Sequence, residues 1–147
     1  ALTTANIPHP YTKDMAIEWI KTHQQSFEQS KSVVFAIRNQ TKTSLIGCMS
    51  LIIDQDNDNA ELGYWIRKED WNNGYCTEAG KAIIAFGFEQ LHLNKIFADH
   101  MTRNPASGKV LEKLGLKKEG ILKQHFKKWD VYEDIAVYGL CRCEYII

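Results

Sequence analysis

The sequence has no surplus of charge. Its 18 Lys and Arg balance 18 Asp and Glu, for a formal net charge of zero. That argues against bulk nucleic-acid binding, which leaves a basic excess as its footprint. Cysteine is scarce: Cys48, Cys76, Cys141 and Cys143 are too few for a disulfide scaffold. The lone C-x-C at Cys141 and Cys143 lacks the second pair that a zinc site needs. Reduced thiols, no metal and a cytoplasmic setting are the expectation. No apolar run is long enough to cross a bilayer, so no membrane is expected as a partner, and no signal-peptide pattern occurs. Repeats, linkers and low-complexity tracts are missing. So are two phosphate-binding signatures. A Walker A loop needs G-x-x-x-x-G-K-[ST], but five residues separate Gly74 from Gly80 and Ala82 follows Lys81. A Rossmann G-x-G-x-x-G does not occur.

What remains is an ordinary globular chain. At 147 residues and 44% hydrophobic it is long enough for one domain, residues 1–147, with a real core. Residues 12–30 read as a helix, with Thr12 as N-cap and Met15, Trp19, Ile20 and Phe27 as an apolar stripe. Strands are expected at 32–39, 44–53 and 60–67, joined by turns at 40–43 and 54–59. A helix follows over 75–91, with Ala79, Ala82, Ile83, Phe86 and Leu91 at helical spacing. Next come a strand at 94–101 and a short helix at 105–114 stopped by Gly115. Two closing strands, 118–127 and 131–140, flank a turn at Trp129-Asp130. The order α-β-β-β-α-β-α-β-β means a mixed sheet with helices against it, an α+β fold.

The densest information lies between Glu61 and Phe88. There a strand runs into a polar loop (Trp71, Asn72, Asn73, Gly74) and then into a helix opening with Tyr75, Cys76 and Thr77. Such a junction aims unpaired backbone N–H groups and the positive end of a helix dipole at one point, which suits a phosphate or pyrophosphate. Gly74 read alone also fits a plain strand-to-helix turn.

Four segments in order carry a resemblance: Glu61-Leu-Gly-Tyr-Trp-Ile66, Trp71-Asn-Asn-Gly-Tyr-Cys-Thr-Glu-Ala79, Asn104-Pro-Ala-Ser107 and Val110-Leu-Glu-Lys-Leu-Gly115. They resemble the GNAT acyl-CoA N-acyltransferases, and most of all the RimJ/RimL-like branch. Pro8-His-Pro-Tyr-Thr12 and Trp19-Ile20 resemble that branch too. The resemblance covers about Pro8 to Leu140. It implies the GNAT fold: a mixed, mostly antiparallel sheet with a central splay, flanked by helices. It also implies acetyl-CoA as cosubstrate, no metal, and an amine acceptor, either a protein N-terminus or a small amine. The protein would be a monomer or a homodimer. Members begin with one more strand and helix ahead of the Pro8–Thr12 region. The expectation is that this piece is missing from the sequence, because losing a sheet strand exposes an unpaired edge.

The site residues implied are these. The pyrophosphate pattern Q/R-x-x-G-x-G/A falls on Trp71, Gly74 and Cys76, so the first and last positions depart from it. Asn73 stands where many relatives carry a basic residue. Main-chain amides from Trp71 through Thr77 would grip the coenzyme. The backbone of Tyr64, Trp65 and Ile66 would hold the pantetheine arm in the splay, while the side chains of Tyr64 and Trp65 read as ordinary sheet packing. Many members carry a Tyr seven residues after the Asn; here that position is Leu111. Ser107 offers a hydroxyl for the coenzyme sulfur instead, and Asn104 hydrogen bonds for the pantetheine. Without the family context, Ser107 and Asn104 fit helix capping equally well. Glu61 is the candidate base, with His125 and Tyr138 behind it. Lys109, Lys113, Lys117 and Lys118 suit either a 3′-phosphate or a solvated face. The alternative for the whole chain is a CoA-binding or partner-binding domain that has lost catalysis.

Overall fold

A computed structural model describes residues 10–40 and 44–145. Pro8 and His9, and residues 41–43 of the first expected turn, lie outside the described residues. Helix α1 (Lys13–Glu28) starts where expected, with Thr12 Oγ accepting from the Met15 N–H at 3.3 Å. Its expected stripe is not buried: Met15, Trp19, Ile20 and Phe27 are all 41–59% exposed. A stripe is covered only where another layer meets it. The main neighbour of α1 is strand β1 (Ser32–Arg38), and the half-buried positions of α1 are Ala16, His23 and Ser26.

Strands β1, β2 (Leu45–Asp54) and β3 (Asn59–Ile66) form an antiparallel meander. The β2–β3 turn closes because Asp54 Oδ1 accepts from the N–H groups of Asp56 and Asn57, an Asx arrangement. Helix α2 (Tyr75–Glu89) then crosses to β4 (Lys95–Met101), which lies parallel to β3. Helix α3 (Pro105–Lys113) ends as the sequence predicts. Gly115 takes φ +90°, its N–H reaches Glu112 O, and the Leu116 N–H reaches Leu111 O. This pair of bonds is a Schellman stop. Strands β5 (Lys117–Lys128) and β6 (Val131–Cys141) close the chain as a hairpin. Trp129 and Asp130 both have positive φ at its tip, the primed turn whose twist matches a two-residue hairpin.

The sheet order is β1-β2-β3-β4-β6-β5. Met49, Leu51, Leu62, Ile96 and Ala98 from the sheet meet Ile83, Ile84 and Phe88 of α2 and Leu111 of α3 in one buried cluster. Each such fully buried large side chain contributes about 1.5–3 kcal/mol. Ala82, expected in the α2 stripe, is exposed instead.

The feature that positions the site is the seam between β3 and β4. Its parallel pairing comprises Asn59↔Lys95, Ala60↔Ile96 and Glu61↔Phe97, and then stops. Beyond it, β3 keeps its ladder to β2 as far as Ile66, and β4 keeps its ladder to β6 as far as Met101. The sheet therefore splits into two antiparallel halves. Parallel pairing is the weaker kind, so the seam is where opening is least costly.

Candidate active site

At the open end of the seam the chain leaves β3 through a short 3-10 turn (Lys68–Asp70). The Arg67–Asp70 ion pair at 2.6 Å pins this turn. Trp71 is 55% exposed, yet its indole N–H donates to Ile66 O at 2.9 Å. Asn73 Nδ2 donates to Trp71 O at 3.1 Å. Asn72 and Gly74 both sit in the left-handed region, at φ +63° and +80°. A Cβ built on Gly74 would have nothing within 4 Å, so its backbone conformation, not crowding, asks for glycine there.

The backbone N–H of Glu78 is the first of α2 to find a carbonyl, that of Gly74. The Trp71 N–H, expected among the gripping amides, is instead spent on Lys68 O at 3.3 Å, where it closes the 3-10 turn; none of the N–H groups from Asn72 to Thr77 donates to a described residue. Six consecutive unbonded amides thus stand at the positive end of a 15-residue helix, an arrangement whose chemistry suits a multivalent anion without a basic side chain. Cys76 turns inward onto the core, and burial pushes its thiol up to about 11, so it stays protonated.

Asn104 precedes α3 without capping it through its side chain; its backbone N–H donates to Met101 O at 2.8 Å, and its side-chain carboxamide makes no hydrogen bond to a described residue. Ser107 Oγ does not cap either. It lies 2.6 Å from Tyr64 Oη, which also donates to Ser107 O at 3.2 Å. Tyr64 therefore reaches from β3 across the seam to α3. Burial, the largest influence, pushes its hydroxyl well above the usual phenol range, and the Ser107 bond offsets this only in part. The Tyr64 ring packs against the core as the sheet-packing reading expects, but that reading did not include the hydroxyl's bond to Ser107. The position of Tyr64 three residues past the last β3–β4 pair is a signal that only the register reveals.

Glu61 lies on the opposite face of the sheet from Tyr64, because successive strand residues alternate. It is half-buried, and burial first, then the charge of Asp99, raises its carboxyl above the ordinary range. Asp99 is a neighbour of Glu61 that sequence reasoning missed. Glu61 pairs with Phe97, so Asp99 stands two residues further along the same face. Burial raises its carboxyl as well, with His100 and His125 pulling the other way. His125 is exposed on β5. Tyr138 pairs with Ala98 and thus faces α3, away from Glu61. With His100 it lines a cavity of about 340 Å³ behind Gly108, together with Lys109 and Lys118. Lys117 is held by Glu144 at 2.7 Å. A Cβ built on Gly63 would meet only Ser50 Oγ, at 3.1 Å.

Among the described residues, no helix is long and apolar enough to cross a membrane, and no group of His, Cys, Asp and Glu gathers as a metal cluster. The family model for an acetyltransferase (GNAT) domain matches residues 1–117. The uncharacterized N-acetyltransferase YoaA of Bacillus subtilis (strain 168) is 31% identical over 130 residues, which is 88% of this chain and 73% of that protein. The ribosomal-protein-serine acetyltransferase of Escherichia coli (strain K12) is 32% identical over 96 residues, 65% of this chain and 54% of that protein. A crystal structure of a probable acetyltransferase superposes with a TM-score of 0.85 at 29% identity, covering 92% of this chain and 77% of that one.

Proposed function

The chain belongs to the acetyltransferase (GNAT) domain family and is an N-acetyltransferase. From that premise we propose that it moves an acetyl group from acetyl-CoA to a primary amine by direct attack in a ternary complex. The observation that carries this reading is the run of six unbonded amides in the loop that follows β3, beside a seam whose pairing has stopped at Glu61. The pyrophosphate binds the amides of Asn72 through Thr77. The pantetheine arm, a short diamide, pairs with the free backbone edge of Tyr64, Trp65 and Ile66, and Asn104 supplies further hydrogen bonds to it. Trp71 braces the loop through its indole instead of touching phosphate with its side chain.

The amine enters from the Glu61 face. An α-ammonium has a pKa of ~7.7–8.0 and an alkyl ammonium ~10.4, so an α-amine needs little help to lose its proton and a lysine-like amine needs a base. Glu61, its carboxyl raised above the ordinary range by burial and then by Asp99, accepts that proton directly or through water. The new C–N bond forms, the C–S bond breaks, and the electron pair goes to sulfur. A free thiol has a pKa of ~8.5, so one hydrogen-bond donor is enough help for the departing thiolate. Ser107 Oγ is that donor. Protein N-termini are the favoured acceptors; the E. coli relative named as a ribosomal-protein-serine acetyltransferase supports a protein as the acceptor. Small amines are the second class, which the paired carboxylates of Glu61 and Asp99 also suit.

Calorimetry with CoA and a thiol-release assay with acetyl-CoA test this. The amine panel spans peptide α-amines, polyamines and aminoglycosides. Binding with turnover on at least one amine is expected. Ser107→Ala should lower kcat about 10- to 100-fold, the worth of a hydrogen bond to a charged group, while CoA affinity holds. Binding with no turnover on any amine would favour a CoA-binding domain; no binding would remove the coenzyme reading itself.

A further inference from the structure

Resting on the proposed role of Ser107, we infer that Tyr64 is a positioning residue for acetyl transfer, its phenol setting the direction in which the Ser107 hydroxyl donates. Tyr64 Oη lies within reach of two oxygens of one residue, Ser107 Oγ at 2.6 Å and Ser107 O at 3.2 Å. A carbonyl can only accept. When the phenol donates to Ser107 O, the serine hydroxyl is free to donate back to Oη. When the phenol turns its hydrogen to Oγ, the serine hydrogen is displaced from Oη and points elsewhere. Both states use the same heavy-atom positions, so the switch needs rotation of two hydroxyl hydrogens and no movement of the fold.

The second state is the one a thiolate selects. As the C–S bond breaks, charge collects on sulfur, and Ser107 donates to it while Tyr64 donates to Ser107. Chained hydrogen bonds of this kind polarise and strengthen one another in a low-dielectric site. Neither hydroxyl ends the step short of a proton. The amine's proton leaves through Glu61, and the thiolate keeps the electron pair of the broken bond. Burial holds Tyr64 in its protonated form, so it acts as a fixed donor and not as an acid. Its place suits this task. The backbone ladder between β3 and β4 has ended at Glu61, and the Tyr64 side chain spans the gap that the ladder leaves.

A double-mutant cycle on the full chain tests the inference, with acetyl-CoA and whichever amine the panel finds. Tyr64→Phe keeps the ring and removes only the hydroxyl. It should lower kcat about 3- to 10-fold, the worth of one neutral hydrogen bond, with KM for acetyl-CoA and CoA affinity within about twofold of the parent. In a Ser107→Ala background the same change should cost nothing further. A ring that merely packs would leave kcat intact in Tyr64→Phe, and that result overturns the inference. So do penalties that multiply in the double variant, since they would mean independent roles. Full kcat in Ser107→Ala beside a loss in Tyr64→Phe would make Tyr64 the donor itself; it overturns positioning but leaves the coenzyme site standing. A parent protein that neither binds CoA nor turns over fails at the earlier step and takes this inference with it.

Discussion

Gly74 gives the sharpest test of the anion site, because conformation and crowding separate there. Its φ is +80°, and an added Cβ meets nothing within 4 Å. Alanine at this position adds no clash, only the left-handed penalty of about 1–2 kcal/mol. The protein can take that penalty in two ways. If the loop holds its shape, global stability falls by that amount, which for a domain near 150 residues lowers the thermal midpoint by about 2–8 °C. If the loop relaxes instead, the amides from Asn72 to Thr77 lose their common aim, and coenzyme affinity falls by about 5- to 30-fold. Differential scanning fluorimetry and calorimetry with CoA read both. Asn tolerates positive φ better than Ala, so Gly74→Asn should lie between the parent and Gly74→Ala in both measures. The order parent, Asn, Ala follows from backbone conformation alone. The order parent, Ala, Asn would track side-chain size, and it would refute the claim that Gly74 serves the loop through its φ. An Ala variant unchanged in both measures would refute the need for the left-handed turn at all.

Four further outcomes are expected. In Glu61→Gln the acidic limb of the kcat/KM profile, which in the parent lies above the ordinary carboxylate pKa of ~4.3, should disappear; a retained limb would remove Glu61 as the base. The same variant should be more stable at pH 7. A carboxyl raised by burial stabilises the fold below its unfolded pKa and loses that contribution as pH rises through the folded one, so Gln relieves an ionised group at pH 7 and gains nothing near ~3. Gly47→Ala should lose about 1–3 kcal/mol of stability in chemical denaturation, because its Cβ would collide with Trp65 O and lie 2.8 Å from Ile66 Cδ1; a neutral result would show that β2 and β3 can separate freely there. Iodoacetamide at pH 7.5, followed by peptide mass analysis, should modify exposed Cys143 before Cys76, whose thiol burial keeps protonated; early labelling of Cys76 would mean that the helix terminus outweighs its burial.

The elements were legible because their signals are local. Alternating strands, the Thr12 cap, the Gly115 stop and the turn at Trp129-Asp130 all act within a few residues, and each appears where the sequence places it. The loop from Trp71 to Thr77 was legible for the same reason: strand, polar glycine turn and helix start follow one another in the chain. What stayed hidden depends on partners far apart in sequence. The stripe of α1 was visible, but whether a layer covers it is a tertiary fact. Asp99 joins Glu61 only through a strand register that sets residue 61 beside residue 97. The Tyr64–Ser107 bond spans 43 residues and an opened seam, and no periodicity announces it.

The seam also orders the chemistry by side. Strand alternation puts Tyr64 on the face that α2 and α3 cover, where Ser107 meets it, and puts Glu61 and Asp99 on the other face. A thioester held in the gap would have hydrogen-bond donors for its sulfur on one side and carboxylates for the incoming nitrogen on the other. Direct attack needs that separation, because the group that removes a proton from the amine must not compete for the hydrogen that steadies the thiolate. If Glu61 and Ser107 shared a face, the carboxylate would accept the serine hydrogen and leave the sulfur without a donor. The β3–β4 register keeps them apart, and an opened gap with intact ladders on its outer edges would let one substrate touch both.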